Sequence, residues 1–421
     1  MGGDVKVKDY ASHAKQASYR LATADAASKN RALLAMSEAI ERRAEEILVE
    51  NAHDVAEGRR NGLSPALIDR LLLDEGRLRG IAGSLRDIAA LADPVGEVVA
   101  GWKTPEGLEI EKVRVPFGVI LVVYEARPNV TVDAVALCLK TGNSVILRGG
   151  TDAYRSNRIL AEVITGAAIE AGLPGDCIQF IGEKERSALI ELLQLRDLID
   201  LVIPRGGEAL KELLLEHSKI PVIYAAGGNC HIYVDETADL KQALAITINA
   251  KCQRPGVCNA AETLLVHRAV AAEFIPVVVE ALTERKVKLY VDSRTRELAG
   301  DSGAKLLRAT DKHYNTEFLS MEMAIKVVED LEEAIAHITQ YGTGHSEAII
   351  TRDLEASRRF AQGVDAAVVY INASTRFTDG GVFGLGAEIG ISTQKLHARG
   401  PLALKELTSV KYVVTGRGHV R

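Results

Sequence analysis

Short apolar runs that alternate with helical stretches of ten or more residues dominate this chain, and that alternation allows few architectures. From Val119 the strand-like runs are Val119–Tyr124, Ser144–Leu147, Ile178–Ile181, Ile199–Ile203 and Val222–Tyr224. Between them lie the helical stretches Val132–Lys140, Ser156–Ala171, Glu185–Leu195 and Glu208–His217. Units of this kind build a parallel sheet with helices on its faces. A second set starts at His231–Val234 and continues through Leu240–Asn249, Glu262–Val266, Ala271–Thr283, Val287–Val291 and Ala324–Val328. It ends with Leu331–Tyr341, Ala348–Ile350, Leu354–Gln362 and Ala367–Ile371. The pattern predicts two successive parallel-sheet α/β domains, with Gly227-Gly228 near their junction.

The flanks read differently. The first hundred residues are helical: Leu33, Met36, Ile40, Ala44 and Ile47 recur at three and four, the period of one buried helical face. Further helical stretches cover Ala52–Arg60 and Pro65–Ala92, closed by Asp93-Pro94. Val95–Trp102 and Leu108–Val115 then form a hairpin across the turn-rich Lys103–Gly107. Val410–Thr415 is one more strand after a long glycine-rich segment.

Composition excludes several classes. Lysine plus arginine total 51 and aspartate plus glutamate 57, a net charge of −6, so a basic footprint for nucleic acid is not expected. The apolar runs are far shorter than the about 20 residues of a membrane-spanning helix. The opening Met-Gly-Gly-Asp-Val-Lys lacks the apolar core of a signal peptide. Five cysteines, none in a Cys-x-x-Cys pair, fit a reducing compartment rather than a disulfide framework. A cytoplasmic enzyme is expected.

The dinucleotide fingerprint Gly-x-Gly-x-x-Gly is absent: Gly384-Leu385-Gly386 has Ile389 in the third place. Other phosphate-binding positions remain. Pro204-Arg205-Gly206-Gly207-Glu208 follows a strand and opens a helix, so it is either a phosphate cradle of helix N-terminal amides or a tight β-α turn. Arg148-Gly149-Gly150 also follows a strand; an arginine at a strand's carboxyl end is either a phosphate ligand, including for the 2′-phosphate of NADP, or a surface side chain.

Among the cysteines, Cys138 and Cys177 read as buried and structural, and Cys230 lies at the edge of the Gly-Gly loop. Cys252 and Cys258 flank Gln253-Arg254-Pro255-Gly256-Val257. Cys258, after Pro-Gly and near Arg254, best fits a partly exposed thiol in an electropositive setting. A lone pair at this spacing is a poor zinc pattern, and no metal is expected. Asn372–Phe377, Gly380–Gly390 and Ser392–His397 are too polar and glycine-rich for a core; they form either a solvated connection or a loop lining a polar pocket.

Several long segments together resemble one family. They are Val115-Pro116-Phe117-Gly118-Val119-Ile120, Tyr124–Ala134 (Tyr-Glu-Ala-Arg-Pro-Asn-Val-Thr-Val-Asp-Ala), Gln253–Thr263 (Gln-Arg-Pro-Gly-Val-Cys-Asn-Ala-Ala-Glu-Thr) and Ala373-Ser374-Thr375-Arg376-Phe377. They resemble the gamma-glutamyl phosphate reductase (glutamate-5-semialdehyde dehydrogenase) family, a branch of the aldehyde dehydrogenase superfamily, and the similarity spans essentially the whole chain. The resemblance implies an aldehyde-dehydrogenase-like α/β fold with an NADP-binding domain (1–101 and 117–226) and a catalytic domain (227–400). It also implies a small β oligomerisation arm (102–116 and 401–421), and hence a homo-oligomer.

The implied reaction is NADPH-dependent reduction of L-glutamate 5-phosphate to the 5-semialdehyde, in proline biosynthesis, with coupling to glutamate 5-kinase as a further implied partnership. Cys258 falls on the family's nucleophile, and Arg148 with Gly149 on the superfamily's adenosine-ribose position. The resemblance gives Glu317 the nicotinamide ribose, and the strand-to-helix turn Arg205-Gly206-Gly207 is the candidate for the cofactor phosphates. A cysteine thiolate attacking the acyl phosphate gives a thioester, which hydride then reduces. Backbone amides at the Cys258 turn, with Asn129 as a side-chain donor, are the oxyanion candidates. Arg127, Arg254, Ser374, Arg376 and His397 are the candidates for the substrate's carboxylate and phosphate.

The competing readings are a hydrolytic NAD(P)-dependent aldehyde dehydrogenase and a noncatalytic scaffold. Hydrolytic superfamily members carry a glutamate two residues before the Gly-Gly pair; Ala225 stands in that place here.

Overall fold

The structure is a computed structural model and describes residues 7–182, 185–224, 227–300 and 305–421. The chain forms two compact units. The first is Met1–Tyr224 with Gly384–Gly390 and Leu402–Arg421, and the second is Ala225–Phe383 with Ile391–Pro401. The segment Gly384–Gly390, which the sequence groups with the catalytic residues, therefore packs with the first unit. A β-carbon on Gly386 would stand 2.4 Å from Leu91 Cδ1, and the Ile389 amide donates to the Leu402 carbonyl.

The first unit opens with helices α1 (Val7–Leu21), α2 (Ala26–Arg42), α3 (Ala44–Arg60), α4 (Pro65–Leu71) and α5 (Glu75–Ala90). Asp25, Ser64 and Asp74 cap three of them by accepting amides of their first turns. The buried stripe Leu33, Met36, Ile40 and Ile47 is present as its period predicts, but it belongs to two helices. Arg43 leaves helical geometry at φ −102°, ψ 23°, and its guanidinium pairs with Glu46 and Glu162.

Next come the hairpin strands β1 (Val98–Lys103) and β2 (Glu109–Pro116), then β3 (Val119–Tyr124), α6 (Pro128–Lys140), β4 (Ser144–Gly149), α7 (Tyr154–Glu170) and β5 (Ile178–Phe180). α8 (Arg186–Leu193), β6 (Leu201–Arg205) and α9 (Glu208–His217) follow. β3 to β6 form a parallel sheet in the order β5-β4-β3-β6. Every residue of β3 is buried, as a strand covered on both faces requires. Val222–Tyr224, expected as a strand, contributes only one bridge, Val222 to Val202. Pro221 has no N–H with which to extend that ladder.

In the second unit α10 (Leu240–Cys252) packs beside seven strands: β7 (Cys230–Val234), β8 (Ala261–His267), β9 (Lys288–Val291), β10 (Leu306–Arg308), β11 (Glu322–Val328), β12 (Ser346–Ile350) and β13 (Val368–Ile371). All run parallel, in the order β10-β9-β11-β8-β7-β12-β13. Ile232, Leu264, Phe274, Val278, Ile325 and Ile350 are among its core residues. The three-residue β10 was not legible, being too short to carry a period. β14 (Ile391–Ser392) and β15 (Gly400–Pro401) pair antiparallel. The last strand, β16 (Thr408–Thr415), joins β2, so the predicted hairpin and C-terminal strand make one antiparallel sheet, β1-β2-β16, in the first unit.

Candidate active site

In the first unit, register brings several expected residues to one sheet end. Tyr124 lies opposite Gly149 on one side and Arg205 on the other. The chain leaves β3 for β4 and β5, then returns to β3's other edge as β6, and such a reversal opens a crevice at the strands' carboxyl ends. Arg127 and Asn129 lie there, Arg127 just before α6 and Asn129 in its first turn. The Asn129 side-chain amide donates to Asp133 at 3.0 Å. Arg148 and Gly149 end β4. The half-buried Arg148 guanidinium donates to the Gly149 carbonyl at 2.9 Å, and burial pulls it below its ordinary range, against the attraction of Glu185. A β-carbon on Gly149 would stand 2.3 Å from Asn157 Nδ2.

Gly206 and Gly207 form the turn into α9, where free amides attract anions. The structure supplies one from the chain itself, because the Gly207 amide donates to Glu125 Oε2 at 3.0 Å. The carboxyl of Glu125 also lies over Gly206, 2.7 Å from where a β-carbon would be. Nothing in the local sequence announces this contact, since the two positions are 82 residues apart.

In the second unit the site forms at the amino ends of the strands. The order β11-β8-β7-β12 aligns, side by side, the segment before β11 with Glu317, the loop before β8 with Cys258, Gly227-Gly228 before β7, and His345 before β12. The usual carboxyl-end rule points to the other end. There a cavity of about 880 Å³ at the ends of β9 and β10 is lined by Asp292, Arg308, Lys326, His337 and Tyr341, and by none of the expected residues.

Cys258 is held from several sides. The Cys230 thiol donates to its carbonyl at 3.2 Å, and Gly228 packs against that same carbonyl. The Gly228 amide in turn donates to Glu317 Oε1 at 2.7 Å, while Glu317 Oε2 lies 2.6 Å from a β-carbon position on Gly227. The next residue, Asn259, is buried: its amide donates to the Thr378 carbonyl at 2.9 Å and its oxygen accepts from Arg376. Thr375 donates its hydroxyl to the Asn259 carbonyl at 2.7 Å, and the buried Ser374 accepts the Arg376 amide. Arg376 also bonds Gln253 at 2.8 Å.

Burial lowers Arg376, the charge of Arg254 lowers it further, and Cys258 pulls the other way, so both guanidiniums act electrostatically at this loop. Cys138, Cys177, Cys230 and Cys252 all have thiols pushed up by burial, the opposite of activation. Cys258 and Cys252 are both half-buried, and Cys258 is the one whose charge acts on Arg376. Contacts thus join Cys258 through Gly228 to Glu317, and Asn259 to Arg376 and Arg376 to Ser374, while Cys258 and Arg254 act on Arg376 through charge. His397 lies on an exposed turn between β14 and β15, where Lys395 and Arg399 both pair with Asp365.

Sequence reasoning missed Gly228's packing role, Glu125, Asn259 and a buried pair, Lys251 with Glu262. Asn259 and Glu262 sit inside the distinctive Gln253–Thr263 segment, the only signal that pointed near them. Ala225 lies outside the described residues.

Two parallel-sheet units, with the cysteine loop at the amino end of β8, make an aldehyde-dehydrogenase-like fold. The sequence model of the aldehyde dehydrogenase family matches residues 1–297 and 310–413, and the chain belongs to that family. Within it, the chain is 53% identical over 408 residues to the gamma-glutamyl phosphate reductase of Heliobacterium modesticaldum, covering 97% of each. It is 51% identical over 415 residues to that of Thermobifida fusca, covering 99% of this chain and 98% of the relative. The crystal structure of gamma-glutamyl phosphate reductase from Thermotoga maritima superposes with a TM-score of 0.95 at 46% identity, covering 99% of this chain and 100% of that one. The branch to which this chain belongs is that of the gamma-glutamyl phosphate reductases.

Proposed function

We propose that this chain reduces L-glutamate 5-phosphate to L-glutamate 5-semialdehyde, releasing phosphate, as a step in proline biosynthesis. The observation that carries the reading is the Cys258 loop: a half-buried thiol beside Arg376, braced by Gly228 and Glu317, in a chain about half identical to reductases of that name. Cys258 acts as the nucleophile. As its sulfur bonds the acyl carbon, the phosphate leaves and a thioester forms, splitting one hard step in two. Backbone amides at the Cys258 turn face the developing oxyanion, each such donor worth about 3–4 kcal/mol. Arg254 and Arg376 offer fixed positive charge to the anionic substrate, with Ser374 at the base of that loop. Arg127, Asn129 and His397 are further candidates for substrate contacts.

The reductant is a nicotinamide cofactor, NADPH in our reading, and when bound it supplies the hydride that reduces the thioester. The residues present fit such a group. Arg148 is a half-buried cation at a strand's carboxyl end, suited to a 2′-phosphate. Gly206 and Gly207 open α9, suited to the pyrophosphate once Glu125 yields the Gly207 amide. Glu317 offers its carboxylate to a ribose.

The arm supports assembly with a second copy: every residue of β1 is exposed, and Trp102 and Tyr412 stack edge to face on its open sheet. Among the described residues no helix is long and apolar enough to cross a membrane, and we place the enzyme in the cytoplasm with an acyl-phosphate-forming glutamate 5-kinase as its supplier. The test is oxidation of glutamate 5-semialdehyde with NADP and NAD in parallel, with and without phosphate. Phosphate-dependent NADP reduction supports the reading, and equal rates without phosphate place the chain with hydrolytic enzymes.

A further inference from the structure

Behind the cysteine loop lies a buried lysine–glutamate pair. Lys251, next to last in α10, and Glu262, second in β8, are both fully buried, and their side chains bond each other. Between them runs the loop that carries Cys258, so the pair joins the two ends of that loop. The second oxygen of Glu262 accepts the Leu319 amide at 3.2 Å. Leu319 has φ +52°, a left-handed conformation uncommon for leucine, which something must hold in place. Its carbonyl lies 3.7 Å from the β-carbon position of Gly256, two residues before Cys258. The Phe318 ring covers Lys251, with Nζ 6.0 Å from the ring centre. Glu317, two residues before Leu319, accepts the Gly228 amide, and Gly228 packs on the Cys258 carbonyl.

The links close a circuit: Lys251, Glu262, Leu319, Glu317, Gly228, Cys258. A buried charged pair is a poor source of stability, because well-packed apolar replacements are often neutral or better. Its place in the circuit gives it another role. We propose that Lys251 and Glu262 are positioning residues that clamp the ends of the Cys258 loop and tie to it the segment bearing Glu317, so that the thiol and the cofactor-facing carboxylate are held in one register. The proposal rests on Cys258 being the reactive thiol and Glu317 a cofactor contact. It assigns Lys251 and Glu262 no contact with either ligand.

The test uses the full-length enzyme with Lys251→Met/Glu262→Gln, which keeps shape and removes both charges, and Glu262→Asp, which keeps the charge but withdraws it from the Leu319 amide. Thermal unfolding, kcat and KM for each substrate, and iodoacetamide labelling mapped to individual cysteines are measured. The expected result is a double variant that unfolds near the wild-type temperature, yet loses about tenfold or more in kcat and changes its Cys258 labelling rate by a similar factor. Glu262→Asp falls between it and the wild type, with the loss in kcat rather than in substrate KM. Wild-type kcat and labelling in the folded double variant overturn the clamp. If the double variant does not fold, unchanged kcat in Glu262→Asp overturns it. Wild-type labelling at a cysteine other than Cys258 overturns the nucleophile reading, and the clamp falls with it. Unchanged Cys258 labelling in the variants overturns the clamp alone.

Discussion

The carbonyl oxygen of Cys258 lies 1.5 Å from the point where a β-carbon on Gly228 would stand. No side chain fits there, and the obstacle is backbone, which cannot swing aside. Gly228→Ala must therefore displace the cysteine loop, the Gly228 segment, or both. A displacement of about 1 Å is enough to cost about a hundredfold in turnover. The expected outcome is a folded protein with kcat down by that order and a changed Cys258 alkylation rate, read by steady-state kinetics and mass spectrometry. Wild-type kcat would show that the loop tolerates the shift.

Cys258→Ala is expected to remove turnover and leave cofactor affinity close to wild type, because in the proposed mechanism the thiolate attacks the substrate and does not bind the nucleotide. Cys252→Ala is mild: its thiol is pushed up by burial and sits at the end of α10. Turnover and fluorescence titration with NADPH check both variants, and an inactive Cys252→Ala with an active Cys258→Ala reverses the assignment.

Arg148→Ala weakens NADPH much more than NADH, since only NADPH carries the 2′-phosphate that a guanidinium can fork onto. A charge-assisted contact of this kind is worth about 1.5–3 kcal/mol, or roughly ten- to a hundredfold in Kd. Calorimetry with both nucleotides measures it. Equal loss for the two would place Arg148 on a group they share.

We propose that Ala225, two residues before Gly227-Gly228, stands where hydrolytic relatives carry the glutamate that activates water, and general-base help of that sort is worth about 10²–10⁴-fold. Without it the thioester waits for hydride in the forward direction and for phosphate in reverse. Oxidation of the semialdehyde is accordingly negligible in phosphate-free buffer and restored by phosphate or arsenate. Rapid NADP reduction that yields glutamate without phosphate would refute this.

Trp102 is 48% exposed and Tyr412 59% exposed on the antiparallel sheet β1-β2-β16. Trp102→Asp puts a charge on that face, and sedimentation should show a smaller assembly than the wild type. An unchanged mass would mean that copies associate through another surface.

Much of the architecture was written locally. Val119–Tyr124 reads as a strand buried on both faces because six apolar residues follow one another between Gly118 and the polar residue Glu125, and α9 begins and ends where its periodicity says. These properties belong to neighbours along the chain, so sequence alone determines them. Cys258 was also singled out by local signs, a Pro-Gly turn and a nearby arginine. Tertiary structure decided the rest. Which strands adjoin set the amino ends of β7, β8, β11 and β12 side by side and so gathered Gly228, Cys258 and Glu317. Lys251 looks like any helical lysine, and Glu262 like any charge at a strand's start, until packing buries both and leaves each as the other's partner. Glu125 at α9 and Gly228 against Cys258 have the same origin. Contacts across tens of residues are chosen by sheet order and close packing, and neither leaves a periodic trace in the chain.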